Sequence, residues 1–283
     1  MKPLTRRALC ASLLALGFTA LSAQAAPAVA TRLYVFDCGT IDVSDISVFS
    51  PGVDVGKKKV LTDSCYLIVH PKGTLVWDTG FSDELATLPE GKKVSDNFHV
   101  RLKTPLAAQL KQAGYAPDAV NFLGLSHMHF DHIGNVGLFP KATLLMQKEE
   151  YVSAFGPDAA KFGNDAKNYP TLGANPNRQL EGDLDVFGDG AVVVKRAVGH
   201  TPGHQMLFVK LKKTGNILLS GDLVHFTKNW TQRGVPSFNF DKDLSTTAMN
   251  DAAAFLKAHK ATLWIQHDLE QNAHIRHAPK YYE

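Results

Sequence analysis

The sequence has few cysteines, no excess charge of either sign and, beyond its first residues, no long hydrophobic run. Only three cysteines occur in 283 residues, and Cys10 lies in the N-terminal apolar run, so at most one disulfide can join the other two. The 30 lysines and arginines nearly balance the 27 aspartates and glutamates. No basic block is interleaved with aromatic residues, so nucleic acid is not expected as a partner. No repeat of fixed short period is visible.

The one long hydrophobic run predicts a secretory signal peptide. Lys2, Arg6 and Arg7 precede the apolar residues 8–21, and Ala23-Gln24-Ala25 has the small-residue pattern of a cleavage site. The run is too short to span a membrane. We therefore expect residues 1–25 to be removed and residues 26–283 to form one mature domain, periplasmic or secreted, without a stable membrane anchor. The Arg6-Arg7 pair leaves export by the twin-arginine route open.

Removal of this leader changes both the charge and the cysteine content. The mature protein keeps 27 basic and 27 acidic residues, because the leader contains three basic and no acidic ones. Cys38 and Cys65 remain, one at the end of an apolar run and one at the beginning of another. If these runs form antiparallel strands, the two thiols lie close enough for a disulfide in an oxidising compartment. Two buried thiols are the alternative.

The most informative stretch is Ser126-His127-Met128-His129-Phe130-Asp131-His132. Apolar residues with one Asn, 120–125, run into it, which predicts a buried strand that ends in a loop. Neutral imidazoles and carboxylates are the ligands that hold zinc, manganese or iron in hydrolytic sites. A solvated histidine-rich loop is the alternative for this stretch alone. Further histidines and aspartates at other strand ends favour the metal site.

The remaining chain alternates strands and helices. Apolar runs predict strands over 33–36, 65–70, 74–78, 142–146, 191–198, 205–211, 216–219 and 262–266. Helices are predicted over 105–113, 148–155 and 244–258. The connections 156–180 and 223–241 are long and lack periodicity, and the first is expected to frame the substrate. This alternation indicates an α/β fold with a two-sheet core and helices outside.

Four separated segments carry a family resemblance. Ser-His-Met-His-Phe-Asp-His resembles the HxHxDH signature of the metallo-β-lactamase-fold hydrolases. The segments GHTPGH at 199–204, SGD at 220–222 and QHD at 266–268 match that family's remaining ligand positions in order. HMHFDHIGN, GHTPGHQ and HDLEQ look most like the N-acyl homoserine lactonase branch. The resemblance covers nearly all of residues 31–283 and implies a four-layer αβ/βα sandwich of the metallo-β-lactamase type.

The resemblance also implies two divalent metal ions per chain, with zinc first and manganese, iron or cobalt as alternatives. One ion is assigned to His127, His129 and His204, the other to Asp131, His132 and His267, and Asp222 bridges them. His200 is expected to support His204 or to line the pocket.

Asp78, at the end of a strand, has two possible roles. It either holds a metal-bound imidazole or caps the next turn. Five other histidines lack a matching context and are expected at the surface or in caps: His70, His99, His259, His274 and His277.

By resemblance, the expected activity is hydrolysis of the lactone ring of N-acyl homoserine lactones, which is quorum quenching, by a hydroxide held between the two ions. Asp131 is expected to carry a proton to the leaving oxygen. His225 stands where that branch often has a tyrosine, and its imidazole could donate to the oxyanion. The partner is a small molecule, and a homodimer is allowed. Four aromatic residues are candidates for an acyl pocket: Phe130, Phe226, Trp230 and Phe238.

Several other functions share parts of this pattern. The alternative hydrolases act on a different lactone, an aryl ester, a thioester or a β-lactam. Periplasmic metallo-β-lactamases lack an aspartate at the position of Asp222, whereas thioester hydrolases keep it. A diiron oxygen reductase would place glutamate at His129. A noncatalytic binding module would have no need of seven matching ligand positions.

Overall fold

The computed structural model describes residues 30–283, so the predicted signal peptide lies outside the described residues. Two β-sheets pack face to face. The strands of the first sheet are β1 (Arg32–Val43), β2 (Lys59–His70), β3 (Gly73–Trp77), β4 (Lys92–Lys93), β5 (Phe98–Arg101), β6 (Phe122–Gly124), β7 (Thr143–Gln147) and β8 (Asn177–Leu180). Those of the second are β9 (Leu184–Asp185), β10 (Val192–Arg196), β11 (Gln205–Leu211), β12 (Gly215–Leu219) and β13 (Ala261–Trp264).

Helices cover the outer faces of both sheets. They are α1 (Leu106–Gln112), α2 (Lys148–Phe155), α3 (Thr227–Gln232), α4 (Lys242–His259) and α5 (Leu269–Asn272). Single 3₁₀ turns lie at Ile46–Phe49, Asp83–Thr87, Pro117–Ala119, Val136–Leu138, Ala159–Phe162, Ala166–Asn168, Leu172–Ala174 and Gly221–Leu223. Among residues 30–283, no helix has the length and apolar character needed to cross a membrane.

The strand order explains how the layers form. The first sheet runs β4-β5-β1-β2-β3-β6-β7-β8 and the second β13-β12-β11-β10-β9. In β1, Leu33 and Val35 face the second sheet, while Tyr34 and Phe36 pack in the cluster that includes α1, as the alternation of a strand requires. Residues of α4 cover the outer face of the second sheet. The predicted four-layer αβ/βα sandwich is confirmed.

Cys38 and Cys65 are joined by a disulfide, with their Cα atoms 5.9 Å apart. β1 and β2 pair antiparallel, with a bulge between Asp37 and Gly39 beside the bridge. Both cysteines are buried. Of the two possibilities that the sequence left open, a disulfide or two buried thiols, the structure contains the disulfide.

The two long connections contain more structure than their composition indicated. Residues 156–180 include three 3₁₀ turns and the edge strand β8, and their Tyr169 and Leu172 are buried in the core. Residues 223–241 include α3. The short strands β4 and β5 were also not predicted. These elements lack apolar periodicity because only one or two side chains of each reach the core.

Candidate metal centre

The histidine-rich segments meet because their strands end at one edge of the sandwich. β3 and β6 are parallel neighbours, so the residues that follow them leave the sheet on the same side. In the second sheet, Leu219 and Trp264 pair in the parallel strands β12 and β13, which brings Asp222 and His267 together. The GHTPGH turn connects β10 to β11 in the same sheet. The site therefore lies between the two sheets.

The side chains form two clusters of potential ligand atoms. His127, His129, His200 and Asp222 make the first, and Asp131, His132 and His267 the second, with the atoms of each cluster within 4.8 Å of one another. In the first cluster, Nδ1 of His129 lies 2.9 Å from Nε2 of His127 and 3.0 Å from Nε2 of His200.

Asp222 reaches both clusters with different oxygens. Its Oδ2 lies 3.3 Å from Nε2 of His200. Its Oδ1 lies 2.9 Å from Nε2 of His267 and 3.3 Å from Nε2 of His132. One carboxylate thus spans the two groups of imidazoles.

Three of these imidazoles have their Nδ1 held by a protein group. Nδ1 of His132 lies 3.0 Å from Asp78 Oδ2, and Nδ1 of His267 lies 2.8 Å from the carbonyl oxygen of Thr62. His200 Nδ1 contacts Asn239 Oδ1 at 2.8 Å. Such contacts fix the ring orientation and leave Nε2 directed into the cluster. Asp78 therefore holds an imidazole; its Oδ1 also accepts from the backbone of Ser126 at 2.6 Å.

The donor set fits a pair of cations. Nε2 of His132, Nε2 of His267 and Oδ1 of Asp222 are buried and lie close to one another, but no contact within residues 30–283 has the geometry of a hydrogen bond to any of them. Buried polar atoms without partners are rare, and each needs an explanation. Imidazole nitrogens and carboxylate oxygens that converge on one volume are the usual ligands of zinc and related divalent ions.

Electrostatics within the site follow from burial and from Asp222. Burial, followed by the neighbouring imidazoles, holds the pKa values of His127 and His129 well below the usual range, so both imidazoles are neutral. Burial opposes ionisation of Asp222, but the imidazoles, His267 foremost, outweigh it and keep its pKa well below normal. For His267, burial lowers the pKa, but the carboxylates around it, Asp222 foremost and then Asp131 and Asp63, together outweigh burial and raise the pKa to about 9.

The structure contradicts the choice of His204 as a ligand. Its Nδ1 lies 2.9 Å from the carbonyl oxygen of Ala197, and its Nε2 accepts the backbone N–H of Asp222 at 2.9 Å. Neither nitrogen is free to bind a metal. His200, which was expected only to support the site, directs its Nε2 into the first cluster instead. The turn directs its first histidine into the cluster, while the second, next to β11, supports the backbone of Asp222.

His225 lies beside the clusters, against the wall of the cleft. Its Nε2 is 3.1 Å from Oδ2 of Asp222, and its ring centroid is 4.4 Å from that of Phe49. Nδ1 is buried without a hydrogen-bond partner among the described residues. Burial lowers the pKa of His225 to about 4, so the imidazole is neutral at pH 7.

A narrow cleft with apolar walls opens onto this site. Phe49, Phe130 and Phe238 are among its lining residues, and Asp131, Asp222, His225 and His267 contribute polar groups. Phe130 and Phe238 were predicted for this role. The other two predicted aromatics lie elsewhere: Phe226 is in the core around β5, and Trp230 packs against the cluster that contains α4.

Sequence reasoning missed several residues that the structure places around the site. Glu150 is buried and bonded to the backbone of both ligand segments, and burial raises its pKa. Asn239 contacts His200. Asp63 is fully buried, both oxygens lack partners among the described residues, and burial raises its pKa well above normal. The one available signal was the position of Asp63 just before the apolar residues 65–69, because a carboxylate inside a buried strand is unusual.

Of the five histidines expected at the surface or in caps, His70 is the exception. It is buried, stacks on Phe187 with centroids 4.2 Å apart, and its Nε2 lies 3.0 Å from Asp189. It stabilises the far end of the sandwich. The other four are half-buried or exposed.

The profile of the metallo-beta-lactamase superfamily matches residues 60–261. N-acyl homoserine lactonase AttM of Rhizobium radiobacter is 30% identical over 259 residues, which cover 89% of this chain and 98% of that protein. N-acyl homoserine lactonase AiiA of Bacillus thuringiensis subsp. kurstaki is 29% identical over 255 residues, with 88% and 98% covered.

A solved structure of an N-acyl homoserine lactone hydrolase, with the product N-hexanoyl-L-homoserine bound at its catalytic metal centre, is similar throughout. Its TM-score is 0.75 at 27% identity, and the match covers 89% of this chain and 99% of that one.

Proposed function

Because the chain belongs to the metallo-β-lactamase superfamily, we propose that it is a dinuclear metal-dependent hydrolase that opens the lactone ring of N-acyl homoserine lactones. The observation that carries this proposal is the position of Asp222, whose two oxygens reach two separate groups of imidazoles. The activity named for the relatives above supports the choice of substrate.

The proposed ligands are those of the two clusters. His127, His129 and His200 would hold one ion, Asp131, His132 and His267 the other, and Asp222 both. Zinc suits this nitrogen and oxygen donor set. Ions bound there would lower the pKa of water and polarise an ester carbonyl.

Asp131 is the proposed proton carrier. In lactone hydrolysis, a water oxygen adds to the carbonyl carbon, the ring C–O bond breaks, and the departing alkoxide takes a proton. Asp131 lines the cleft, and its Oδ1 and Oδ2 lie 3.8 Å from His132 Nε2 and 3.9 Å from His267 Nε2. A carboxyl group in that position can accept the proton of the attacking water and deliver it to the leaving oxygen.

His225 is proposed to stabilise negative charge on the carbonyl oxygen. Its depressed pKa, about 4, keeps the ring neutral, so that it offers one N–H over the whole working range of pH. That N–H is on Nε2, which lies 3.1 Å from Oδ2 of Asp222 at the edge of the cleft, and it would turn to the carbonyl oxygen of the substrate if a bound ion occupied Oδ2. A tyrosine hydroxyl would fill the same role in this branch, because it too is a neutral hydrogen-bond donor aimed at the developing oxyanion.

The apolar walls suit an acyl chain. Phe130 and Phe238 are 47% and 45% exposed at the mouth of the cleft, and Phe49 is buried deeper. A ligand that binds with its lactone at the polar floor would place its hydrocarbon chain against these rings.

We also propose that the mature protein works in the periplasm or outside the cell. The disulfide between Cys38 and Cys65 supports this location, because such bonds persist in oxidising compartments. Formation of a homodimer stays a prediction, which light scattering on the purified protein would test.

A hydrolysis panel tests the function directly. The zinc-loaded protein is given N-hexanoyl and N-decanoyl homoserine lactones, an unrelated γ-lactone, an aryl ester, a thioester and a cephalosporin. We expect the acyl homoserine lactones to have the highest kcat/KM, and the activity to disappear with a chelator and return with zinc. A thioester or aryl ester with the higher kcat/KM would replace the proposed substrate.

A further inference from the structure

Glu150 is a buried carboxylate that belongs to neither ligand cluster. It lies in the first turn of α2 and is 1% exposed. Its side chain accepts three hydrogen bonds: from the backbone N–H of Met128 at 2.9 Å, from the hydroxyl of Thr201 at 2.7 Å, and from the backbone N–H of Gly203 at 2.8 Å. A buried carboxylate is costly unless its oxygens are satisfied in this way.

The three donors belong to two segments that are far apart in the sequence. Met128 lies between His127 and His129, in the loop that follows β6 of the first sheet. Thr201 and Gly203 lie in the turn that carries His200, between β10 and β11 of the second sheet. One carboxylate therefore joins the two segments that supply all three histidines of the first cluster.

Close packing fixes the same contact independently. A Cβ atom on Gly203 would lie 2.4 Å from the backbone nitrogen of Glu150 and 2.6 Å from its Cβ. The turn thus rests directly on the first turn of α2, and only glycine allows this approach. The position of His200 relative to the other loop is set at this point.

We propose that Glu150 is a positioning residue that sets the separation between the His127–His129 segment and His200, and through it the affinity and geometry of the metal site formed there. The inference rests on the metal centre proposed above. A carboxylate suits the task because both of its oxygens accept hydrogen bonds, Oε1 from the first loop and Oε2 from the second. Glutamine has nearly the same shape, but one of its two terminal groups is a donor and would face an N–H group.

The test compares Glu150→Gln with the neighbouring Glu149→Gln. Glu149 is exposed and pairs with Arg196, so its variant controls for the loss of one charge at the same helix end. Zinc affinity is measured by competition with a chelator, site geometry by the absorption spectrum of the cobalt-substituted protein, and activity as separate kcat and KM values.

We expect Glu150→Gln to bind one of its two ions about 10–100-fold more weakly, in the range found when groups that orient ligands are removed. The cobalt spectrum should change, and kcat should fall with KM unchanged, because Glu150 does not line the cleft. Glu149→Gln should match the wild type in every measurement.

Wild-type zinc affinity and an unchanged cobalt spectrum in Glu150→Gln, with only a lower Tm, would overturn the inference, since Glu150 would then support folding alone. If that variant does not fold, Thr201→Val removes one of the three hydrogen bonds. It should shift zinc affinity in the same direction by a smaller factor, and wild-type affinity there would overturn the inference equally. Fewer than two ions in the wild type would instead count against the proposed dinuclear function.

Discussion

At the scale of single residues, His200 and His204 lie in one turn but make opposite kinds of contact. His200 directs Nε2 toward His129 and Asp222, whereas both nitrogens of His204 are used by backbone groups. We expect His200→Ala to lose one metal ion and to reduce kcat/KM by more than about 100-fold, because a direct ligand matters more than a group that orients one. Elemental analysis and kinetics on His200→Ala, with His204→Ala for comparison, check this.

His204→Ala should behave differently. It leaves the carbonyl of Ala197 and the N–H of Asp222 without partners, which costs about 1–3 kcal/mol for each buried group. The variant should unfold at lower denaturant concentration and yet retain most of its metal. Loss of metal in His204→Ala, with full metal in His200→Ala, would restore the assignment made from the sequence.

His225 supplies the second prediction at this scale. His225→Ala should lower kcat by about 10²–10³-fold, the effect of removing one oxyanion donor, with both metals retained. His225→Tyr should recover much of the rate. Since the pKa of His225 is about 4, the acid limb of the pH–rate profile above pH 5 should be the same in the wild type and in His225→Tyr. Equal activity in all three proteins would mean that His225 only packs against Phe49.

At the scale of secondary-structure elements, apolar runs in the sequence predicted the main strands. They did not predict residues whose roles depend on a single contact between distant segments. The strands that deliver His127, Asp222 and His267 are apolar runs, so their ends, and with them the ligand positions, could be inferred. The choice between His200 and His204 could not, because it depends on which way a six-residue turn faces. The same holds for Glu150 and Asn239, whose roles arise from contacts between distant segments.

The segment 236–241 links the cleft to the metal site and gives the third prediction. Phe238 lines the cleft, while Oδ1 of the adjacent Asn239 lies 2.8 Å from His200 Nδ1. Asn239→Ala should weaken binding of one metal by about 10–100-fold, because His200 loses the partner that fixes its ring. Chelator competition measures this change.

Phe238→Ala is the matched control for that loop. It should raise KM for a decanoyl substrate and leave metal affinity unchanged. The result that contradicts this account is wild-type metal affinity in Asn239→Ala.

At the scale of the whole molecule, the disulfide ties β1 to β2 across a sequence separation of 27 residues. Loss of a crosslink of this length should lower the free energy of unfolding by about 3–4 kcal/mol in the chain-entropy model. The double variant Cys38→Ser, Cys65→Ser tests this by chemical denaturation of the zinc-loaded protein. An unchanged denaturation midpoint would show that the bridge adds no stability.

The metal centre should also control how the stability of the whole protein depends on pH. In the metal-free fold, burial lowers the pKa of His267, but the surrounding carboxylates, Asp222 foremost, raise it to about 9, and carboxylates raise that of His132 as well. A histidine whose folded pKa exceeds its unfolded value of about 6.5 contributes stability that is complete below pH 6.5 and is lost as pH rises through the folded value. Metal-free protein should therefore show a falling Tm between about pH 6.5 and 9.

Zinc would take the place of these protons, so the zinc-loaded protein should keep a nearly constant Tm over the same interval. Zinc binding at pH 7 should also release protons from both histidines. Thermal unfolding of chelator-treated and zinc-loaded samples, with calorimetry in buffers of different ionisation enthalpy, measures both effects. A metal-free Tm that rises with pH in this interval would mean that His132 and His267 are neutral in the fold, and that Asp222 is balanced by other groups.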